Sequence, residues 1–366
     1  MNHGKQSSNG VRILGIETSC DDTGIAALEV TKGQFQILSN VVASQIDVHQ
    51  EYGGVYPMLA KREHLKNLPI VLRKALRGLL PNDTQSYGIA AIAVTYGPGL
   101  SPCLWTGLNF AQDLAKKWGV PLVPIDHIEG HLLVGLLKNI QDTKYQIPNT
   151  KDIFPAIALI VSGGHTQLVL VKDIGKYEMI GETRDDAAGE CFDKTARILG
   201  LEYPGGPAVA AAAALADKPA IAIKLPRPMM HTKDYDFSFS GLKTAVLYDY
   251  QARPKKERES KKYIQTMAVE IQQAIVDVLV HKTIKAAKEY GAKTIMMGGG
   301  VAANDELRKQ LGQKAKDIAA EFLAPSKTLS TDNGAMIALA GYFRYKAHDY
   351  PKDPSQIGAN PNLRIA

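Results

Sequence analysis

Apolar runs flank a polar break in VRILGIETSCDDTGIAALEV, which reads as a strand, a polar turn at Ser19 to Asp22 and a second strand. QFQILSNVVAS supplies a third strand, so the chain opens as a three-stranded meander. Amphipathic helical segments follow from about Met58 and from Ser101 to Trp118. Between them GIAAIAVTY is apolar without alternation, the mark of a strand covered on both faces, and VPLVPI ends the first half as a short strand. The same grammar restarts at AIALIVSGGHTQLVLVKD, where two β-rich runs flank the turn Ser162-Gly163-Gly164, and YEMIGET is the third strand. Helical stretches come next at Ala187 to Leu199 and Pro207 to Ala216, then a long helix from about Tyr263 to Tyr290. Strand KTIMMG, the loop GGGVAAND and a last helix from Asn333 to His348 complete the pattern.

Two successive βββαβα units predict an α/β protein of two related lobes facing a nucleotide-binding cleft. The expected division is a disordered leader over residues 1–10, an N-terminal lobe over 11–150 completed by the helix at 333–348, and a C-terminal lobe over 151–330. A length of 366 residues suits two cores. Hydrophobic residues make up 45% and charged residues 22%, and no apolar run approaches the roughly 20 residues that span a bilayer, so a soluble protein without a membrane partner is expected. The leader MNHGKQSSNG lacks the apolar stretch of a secretory signal. Cys20, Cys103 and Cys191 form no CxxC pair, which argues against a disulfide framework and for a reducing cytoplasm. A net charge of +6 tolerates an acidic partner such as nucleic acid without requiring one. The densest basic run, Arg253 to Lys262, is broken by Glu257 and Glu259 and reads as a solvated loop or helix start.

Chemistry enters at IDHIEGHLLVGLL. His127 and His131 are four residues apart, so both imidazoles project from one helix face and can chelate one ion. In an HExxH zinc protease the glutamate follows the first histidine directly, whereas Glu129 lies two residues from each, about 200° around the helix from the metal-facing side. Asp332 in STDNGAMIALAG offers a carboxylate at a helix start, either as a third ligand or as an ordinary N-cap. Two histidines and one carboxylate suit iron or zinc.

Glycine-rich turns at Gly97-Pro98-Gly99, Ser162-Gly163-Gly164, Gly205-Gly206 and Gly298-Gly299-Gly300 let backbone N–H groups approach phosphate or sugar oxygens, yet none matches a P-loop or a GxGxxG fingerprint. Asn304 stands at a helix start, to bind a nucleotide or to cap the helix. Acidic residues gather at Asp21-Asp22, Asp185-Asp186, Glu190 and Asp193, and the pair Asp21 and Asp22 occupies the first turn, where a carboxylate can orient or deprotonate an attacking group. Ser240, Lys243 and DYDFSFSGLKTA read as a cleft-edge segment or as a structural turn entering a helix, and Cys191 as a small buried hydrophobe.

In order, GIETSCDDTG, DHIEGH, VSGGHTQL, DDAAGECFDKTARILGLEYPGGP, DFSFSGLKT, MMGGGVAAN and STDNGAMIA resemble the tRNA threonylcarbamoyladenosine transferase family, called TsaD in bacteria. The resemblance runs from about Val11 to about Tyr345, and SGGHTQ is similar to the bacterial and organellar branch. It implies an actin-like ATPase (ASKHA) fold with two RNase-H-like lobes, and transfer of a threonylcarbamoyl group from threonylcarbamoyl-AMP to the exocyclic amine of the adenosine beside the anticodon, in tRNAs reading codons beginning with A. It also implies His127, His131 and Asp332 as ligands of one Fe(II), sometimes zinc. Ile160, Val161, Ser162, Gly163, Gly164, Asp193, Gly206 and Asn304 match the family's positions for an adenine nucleotide or threonylcarbamoyl-AMP.

The implied partners are tRNA, an inactive TsaB-like paralogue, a TsaE-like P-loop ATPase and a threonylcarbamoyl-AMP synthase that supplies the donor. Two departures stand out: Ala210 occupies a position where many relatives carry an acid, and Ile160 one where archaeal relatives carry a tyrosine near the metal. The rival readings are a metalloprotease, a kinase of the actin-like superfamily and a scaffold that keeps only the fold.

Overall fold

The computed structural model describes residues 10–79, 86–141, 143–216 and 222–365. The leader expected over residues 1–10 lies, except for Gly10, outside the described residues. The chain divides into two units. Unit 1 contains Met1–Gln45, Val55–Pro148 and Asp332–Arg364, and unit 2 contains Ile46–Gly54, Asn149–Thr331 and Ile365–Ala366.

In unit 1 the meander is β1 (Val11–Glu17), β2 (Asp22–Thr31) and β3 (Gln34–Ser44), followed by β4 (Ile89–Gly97) and β5 (Leu122–Asp126). A hairpin of β6 (Lys138–Gln141) and β7 (Lys144–Gln146) extends the edge, giving the order β5-β4-β1-β2-β3-β7-β6. β1 runs parallel to β4, and β4 to β5, while the β1-β2-β3 pairs are antiparallel.

Unit 2 repeats the plan with β8 (Ala156–Val161), β9 (Thr166–Asp173), β10 (Lys176–Glu182), β11 (Thr294–Gly298) and β12 (Glu321–Leu323) in the order β10-β9-β8-β11-β12. Read from the parallel edge, β5-β4-β1-β2-β3 and β12-β11-β8-β9-β10 are the same topology with the same strand senses. The sequence repeat is thus a structural repeat of two α/β units.

The period-two alternation of β1 decides which helices cover which face. Leu14 and Ile16 join Leu68 and Val71 of α1 (Pro57–Ala75) and Leu108 and Ala111 of α2 (Ser101–Trp118) in one core. Each such aliphatic side chain, once fully buried, contributes about 1.5–3 kcal/mol. On the opposite face lie α3 (His127–Val134) and the late helix α9 (Gly334–Lys346), which packs on β1, β2, β4 and β5 and against α3. That approach depends on glycine. A Cβ on Gly15 would sit 2.2 Å from the Gly334 carbonyl oxygen, and one on Gly334 would sit 2.4 Å from the Ala26 nitrogen. Any side chain at either position holds α9, and with it Asp332, away from the sheet.

In unit 2, Ile157, Leu159 and Val161 of β8 pack with α4 (Ala188–Ile198), α5 (Gly205–Ala214), α6 (Ser240–Ala252) and α7 (Lys261–Glu289), and α8 (Asp305–Asp317) follows β11. Ser260 caps the long helix by accepting from the Tyr263 N–H at 3.2 Å. The basic run forms the short helix Lys255–Arg258, exposed at Lys255 and Lys256, and the start of α7, with Arg253 paired to Asp249 and Glu257.

Candidate metal centre and nucleotide-binding turns

Both histidines project from α3, which begins immediately after β5. Asp126 caps this helix, its carboxylate accepting from the N–H of Ile128 at 2.7 Å and of Glu129 at 3.4 Å, and burial raises its pKa to about 6. The rings of His127 and His131 meet edge to face with centroids 4.6 Å apart. Asp332, 201 residues from His131 in sequence, places Oδ1 3.0 Å from His131 Nε2 and 3.7 Å from His127 Nε2. The capping role that competes for Asp332 belongs to its neighbour: Asn333 Oδ1 accepts the Met336 N–H at 3.1 Å.

One nitrogen from each histidine and one Asp332 oxygen lie within 4.8 Å of one another, with the histidines buried and the carboxylate half-buried. Among the described residues this is the one group of three or more such side chains able to hold a metal ion. A borderline N/N/O donor set of this kind fits iron or zinc and leaves coordination positions open.

Burial works against a charge on His127, but the carboxylates of Glu17 and Asp332 outweigh it and raise the imidazole pKa to about 9. Glu17 in turn pays for full burial with His127 beside it, and its carboxyl is held below the ordinary value. Glu129 sits away from the triad. It is buried and receives Arg344 Nε of α9 at 2.7 Å, so it joins α3 to α9 and is spent as an ion pair.

The turn before β2 is anchored by the buried His64 of α1. Its Nε2 lies 3.0 Å from the Cys20 carbonyl and its Nδ1 2.8 Å from Thr23 Oγ1. The Asp21 carbonyl accepts from the Gln45 N–H at 3.0 Å. Asp22 opens β2, one residue beyond the turn proper. Its Oδ1 is buried with no hydrogen-bond partner, and burial, then the nearby Asp332 charge, raise its pKa to about 7.

Unit 2 holds the residues matched to nucleotide binding. Ile160 and Val161 are fully buried in β8, so only the turn after them is open. Ser162 closes that turn: its N–H donates to the His165 carbonyl at 2.8 Å and its Oγ accepts the His165 N–H at 3.0 Å. Gly163 and Gly164 are exposed, and a Cβ on either meets nothing within 4 Å. The turn abuts the start of α4, where the Gly189 N–H donates to the Ser162 carbonyl at 3.1 Å.

Asp193 Oδ1 accepts the Gly205 N–H at 2.7 Å, tying α4 to the start of α5. Gly205 is the crowded glycine of this pair, since its Cβ would lie 2.5 Å from Asp193 Cα, whereas Gly206 faces open space. Asn304 caps α8 by accepting the Leu307 N–H at 3.0 Å and donates to Gln272 Oε1 at 2.9 Å. Ala210 lies on α5 and brings no polar atom.

The remaining acids are structural. Asp185 takes four hydrogen bonds from Ser238, Phe239 and Ser240 and so anchors the DFSFSG segment at the start of α6, while Asp186 and Glu190 both pair with Lys194. Cys191 is fully buried and its thiol pKa is raised by burial, in keeping with a packing role.

Sequence reasoning missed Glu17, Ser19, Thr95, His64 and Arg344. The one visible signal was a glutamate ending an otherwise apolar strand. A strand-end glutamate is usually solvated, and nothing in the local pattern marks this one as buried.

A family model described as TsaD, tRNA N6-adenosine threonylcarbamoyltransferase, matches residues 36–339. The chain is 46% identical over 353 residues to the tRNA N6-adenosine threonylcarbamoyltransferase of Thermosipho africanus, covering 96% of this chain and 99% of the relative. It is 45% identical over 354 residues to the protein of that name from Syntrophomonas wolfei, covering 96% and 97%. Among solved structures, component A of the Acidaminococcus fermentans (R)-2-hydroxyglutaryl-CoA dehydratase superposes with a TM-score of 0.51 at 14% identity, over 92% of this chain and 99% of that one. That likeness speaks for the fold alone, which is the actin-like ATPase fold. The length and level of the sequence matches, joined to the ordered motifs, carry the conclusion that the chain belongs to the tRNA N6-adenosine threonylcarbamoyltransferase family.

Proposed function

We propose that this protein transfers the threonylcarbamoyl group of threonylcarbamoyl-AMP to the exocyclic amine of the adenosine beside the anticodon, in tRNAs that read codons beginning with A. The observation that carries the reading is family membership: the family model spans residues 36–339, and relatives match over 96% of the chain. In the reaction the amine attacks the carbonyl carbon of a mixed anhydride, the bond to the phosphate oxygen breaks, AMP leaves and the amine loses a proton.

His127, His131 and Asp332 would hold one ferrous ion, or zinc, whose chemistry is to stabilise negative charge on donor oxygens. The open turn Ser162-Gly163-Gly164 offers backbone N–H groups to the nucleotide, with Asp193, Gly206 and Asn304 of the same unit as further contacts. Asn304 makes such a contact while capping α8, because its carbonyl oxygen has a second lone pair. Asp22 is the stronger of the two acids for receiving the amine proton. Its Oδ1 lacks a partner, and a carboxyl with a pKa of about 7 matches a base working near neutrality. Asp21 then orients the turn or the amine.

The protein works in the cytoplasm with tRNA, an inactive paralogue, a P-loop ATPase and the synthase that makes the donor. No helix among the described residues is long and apolar enough to cross a membrane. Met58 and Leu65, seven residues apart on one face of α1 and each more than half exposed, give the paralogue an apolar surface.

The test mixes the protein, these partners, threonylcarbamoyl-AMP and tRNA, and scores the modified nucleoside. His127→Ala is expected to reduce modification more than about 100-fold, the loss associated with an electrostatic stabiliser of the transition state. Modification unaffected by that substitution refutes the metal role. A protease reading finds no support, since Glu129 is committed to Arg344.

A further inference from the structure

Three adjacent parallel strands of unit 1 end side by side, and each delivers one polar group to the same spot. Glu17 is the last residue of β1, Thr95 lies near the end of β4, and His127 follows β5 directly. Glu17 is completely buried, as is Thr95. Its Oε1 accepts the Ser19 N–H at 2.5 Å and its Oε2 accepts the Thr95 hydroxyl at 2.5 Å. The same Oε2 stands 3.1 Å from His127 Nδ1, with Ser19 Oγ 3.2 Å from that nitrogen.

An ionised carboxylate only accepts, so it holds the proton on Nδ1 and makes Nε2, the nitrogen on the side of Asp332, the one that gives up its proton to a metal. His131 has no counterpart to this support, for its Nδ1 is buried without a partner. A buried carboxylate is costly unless charge is set against it, and its hydrogen bonds to Ser19 and Thr95 alone would suit a neutral glutamine as well. We infer that Glu17 is a positioning residue of the metal centre, fixing the tautomer and orientation of His127 and strengthening it as a ligand.

This inference rests on the metal reading of the triad. Glu17 and Asp332 together supply two negative charges to balance a divalent ion, and the carboxylate-histidine-metal relay is a general device for tuning such sites. Glu17 needs no contact with donor or tRNA to act in this way, so its effect is on metal binding first and on transfer only through it.

The experiment measures Co²⁺ and Zn²⁺ affinity of the purified full chain by chelator competition, together with the visible absorption of the cobalt form and the thermal stability of the metal-free form. Glu17→Gln is expected to lower metal affinity about 10–100-fold and to alter the cobalt spectrum of the folded protein. Glu17→Asp, which keeps the charge on a shorter arm, should recover part of the affinity. A purely structural role for Glu17 would instead lower the stability of the metal-free protein, with the cobalt spectrum of the remaining folded fraction unchanged. Affinity within about threefold of wild type and an unchanged spectrum in Glu17→Gln overturn the inference.

Should Glu17→Gln fail to fold, Thr95→Val removes one of the hydrogen bonds to Glu17 without touching His127. A fall in affinity there supports the inference, and unchanged affinity overturns it. If wild type itself binds neither ion, the metal reading is what fails, and that result is read from wild type alone.

Discussion

Units 1 and 2 share one sheet topology yet present their candidate sites in opposite ways. In unit 1 the site is made of side chains held among polar contacts: Glu17 behind His127, Asn333 capping beside Asp332, Glu129 and Arg344 joining α3 to α9. In unit 2 the matching loop, Ser162-Gly163-Gly164, offers backbone, and the polar side chains around it already serve the fold: Asp193 holds the start of α5 and Asn304 caps α8. A metal needs preorganised donors, which cost buried polar bonds to hold in place. A phosphate or ribose needs only an open, correctly curved run of N–H groups. The same fold thus offers two different materials for two such demands.

The largest effect expected from that contrast falls on two neighbouring residues of unit 1. Asp332→Ala should weaken metal binding more than about 100-fold, beyond what loss of a supporting group costs, with little change in melting temperature. Asn333→Ala should cost about 1 kcal/mol of stability through the lost cap, with far less effect on metal binding. Metal titration and thermal melts of the pair check this. Equal loss of metal binding in both variants would mean that Asp332 acts through the helix start.

In unit 2 the same separation is made with glycines. Gly205→Ala is expected to destabilise by about 1–3 kcal/mol, because its Cβ meets backbone at 2.5 Å, whereas Gly164→Ala has open space and should leave denaturant midpoints unchanged. Nucleotide binding followed by calorimetry should weaken in Gly164→Ala if ligand approaches that turn. Unweakened binding would move the nucleotide elsewhere in the unit.

The smallest effect is one of pH. The Asp22 pKa is raised to about 7 in the folded protein, so the unfolded chain releases this proton at lower pH than the folded one. Stability contributed through this group therefore falls as pH rises from the ordinary carboxylate range to about 7. Asp22→Asn in metal-free protein should raise the melting temperature at pH 8 and not at pH 4. Equal shifts at both pH values would show that the carboxylate bears no such burden.

Much of this was legible along the chain. Strand alternation and apolar runs foretold the meander and its repeat, because period-two burial is written locally. The boundaries of α2 fell at Ser101 and Trp118, with Pro102 in the first turn and Gly119 closing the helix in the left-handed region. The β6-β7 hairpin was missed because its strands are short and rich in Lys, Asn and Gln, without apolar alternation to mark them. So was the tail near the end of the chain, whose Asn360 N–H donates to the Tyr96 carbonyl at 2.7 Å. Its contacts are distant in sequence, and PSQIGANPN has no period to read.

By itself the sequence determined that His127 and His131 can chelate together, since four residues of helix put them on one face whatever surrounds them. It also determined that Glu129 lies off that face. Only the tertiary structure decided that Asn333 takes the capping role, that Asp332 meets His131 across 201 residues, and that Glu17 meets His127 across 110. The reason is physical: helix spacing is a property of a few consecutive bonds, whereas those two meetings depend on α9 reaching the sheet over Gly15 and on β1, β4 and β5 ending together, which no local stretch encodes.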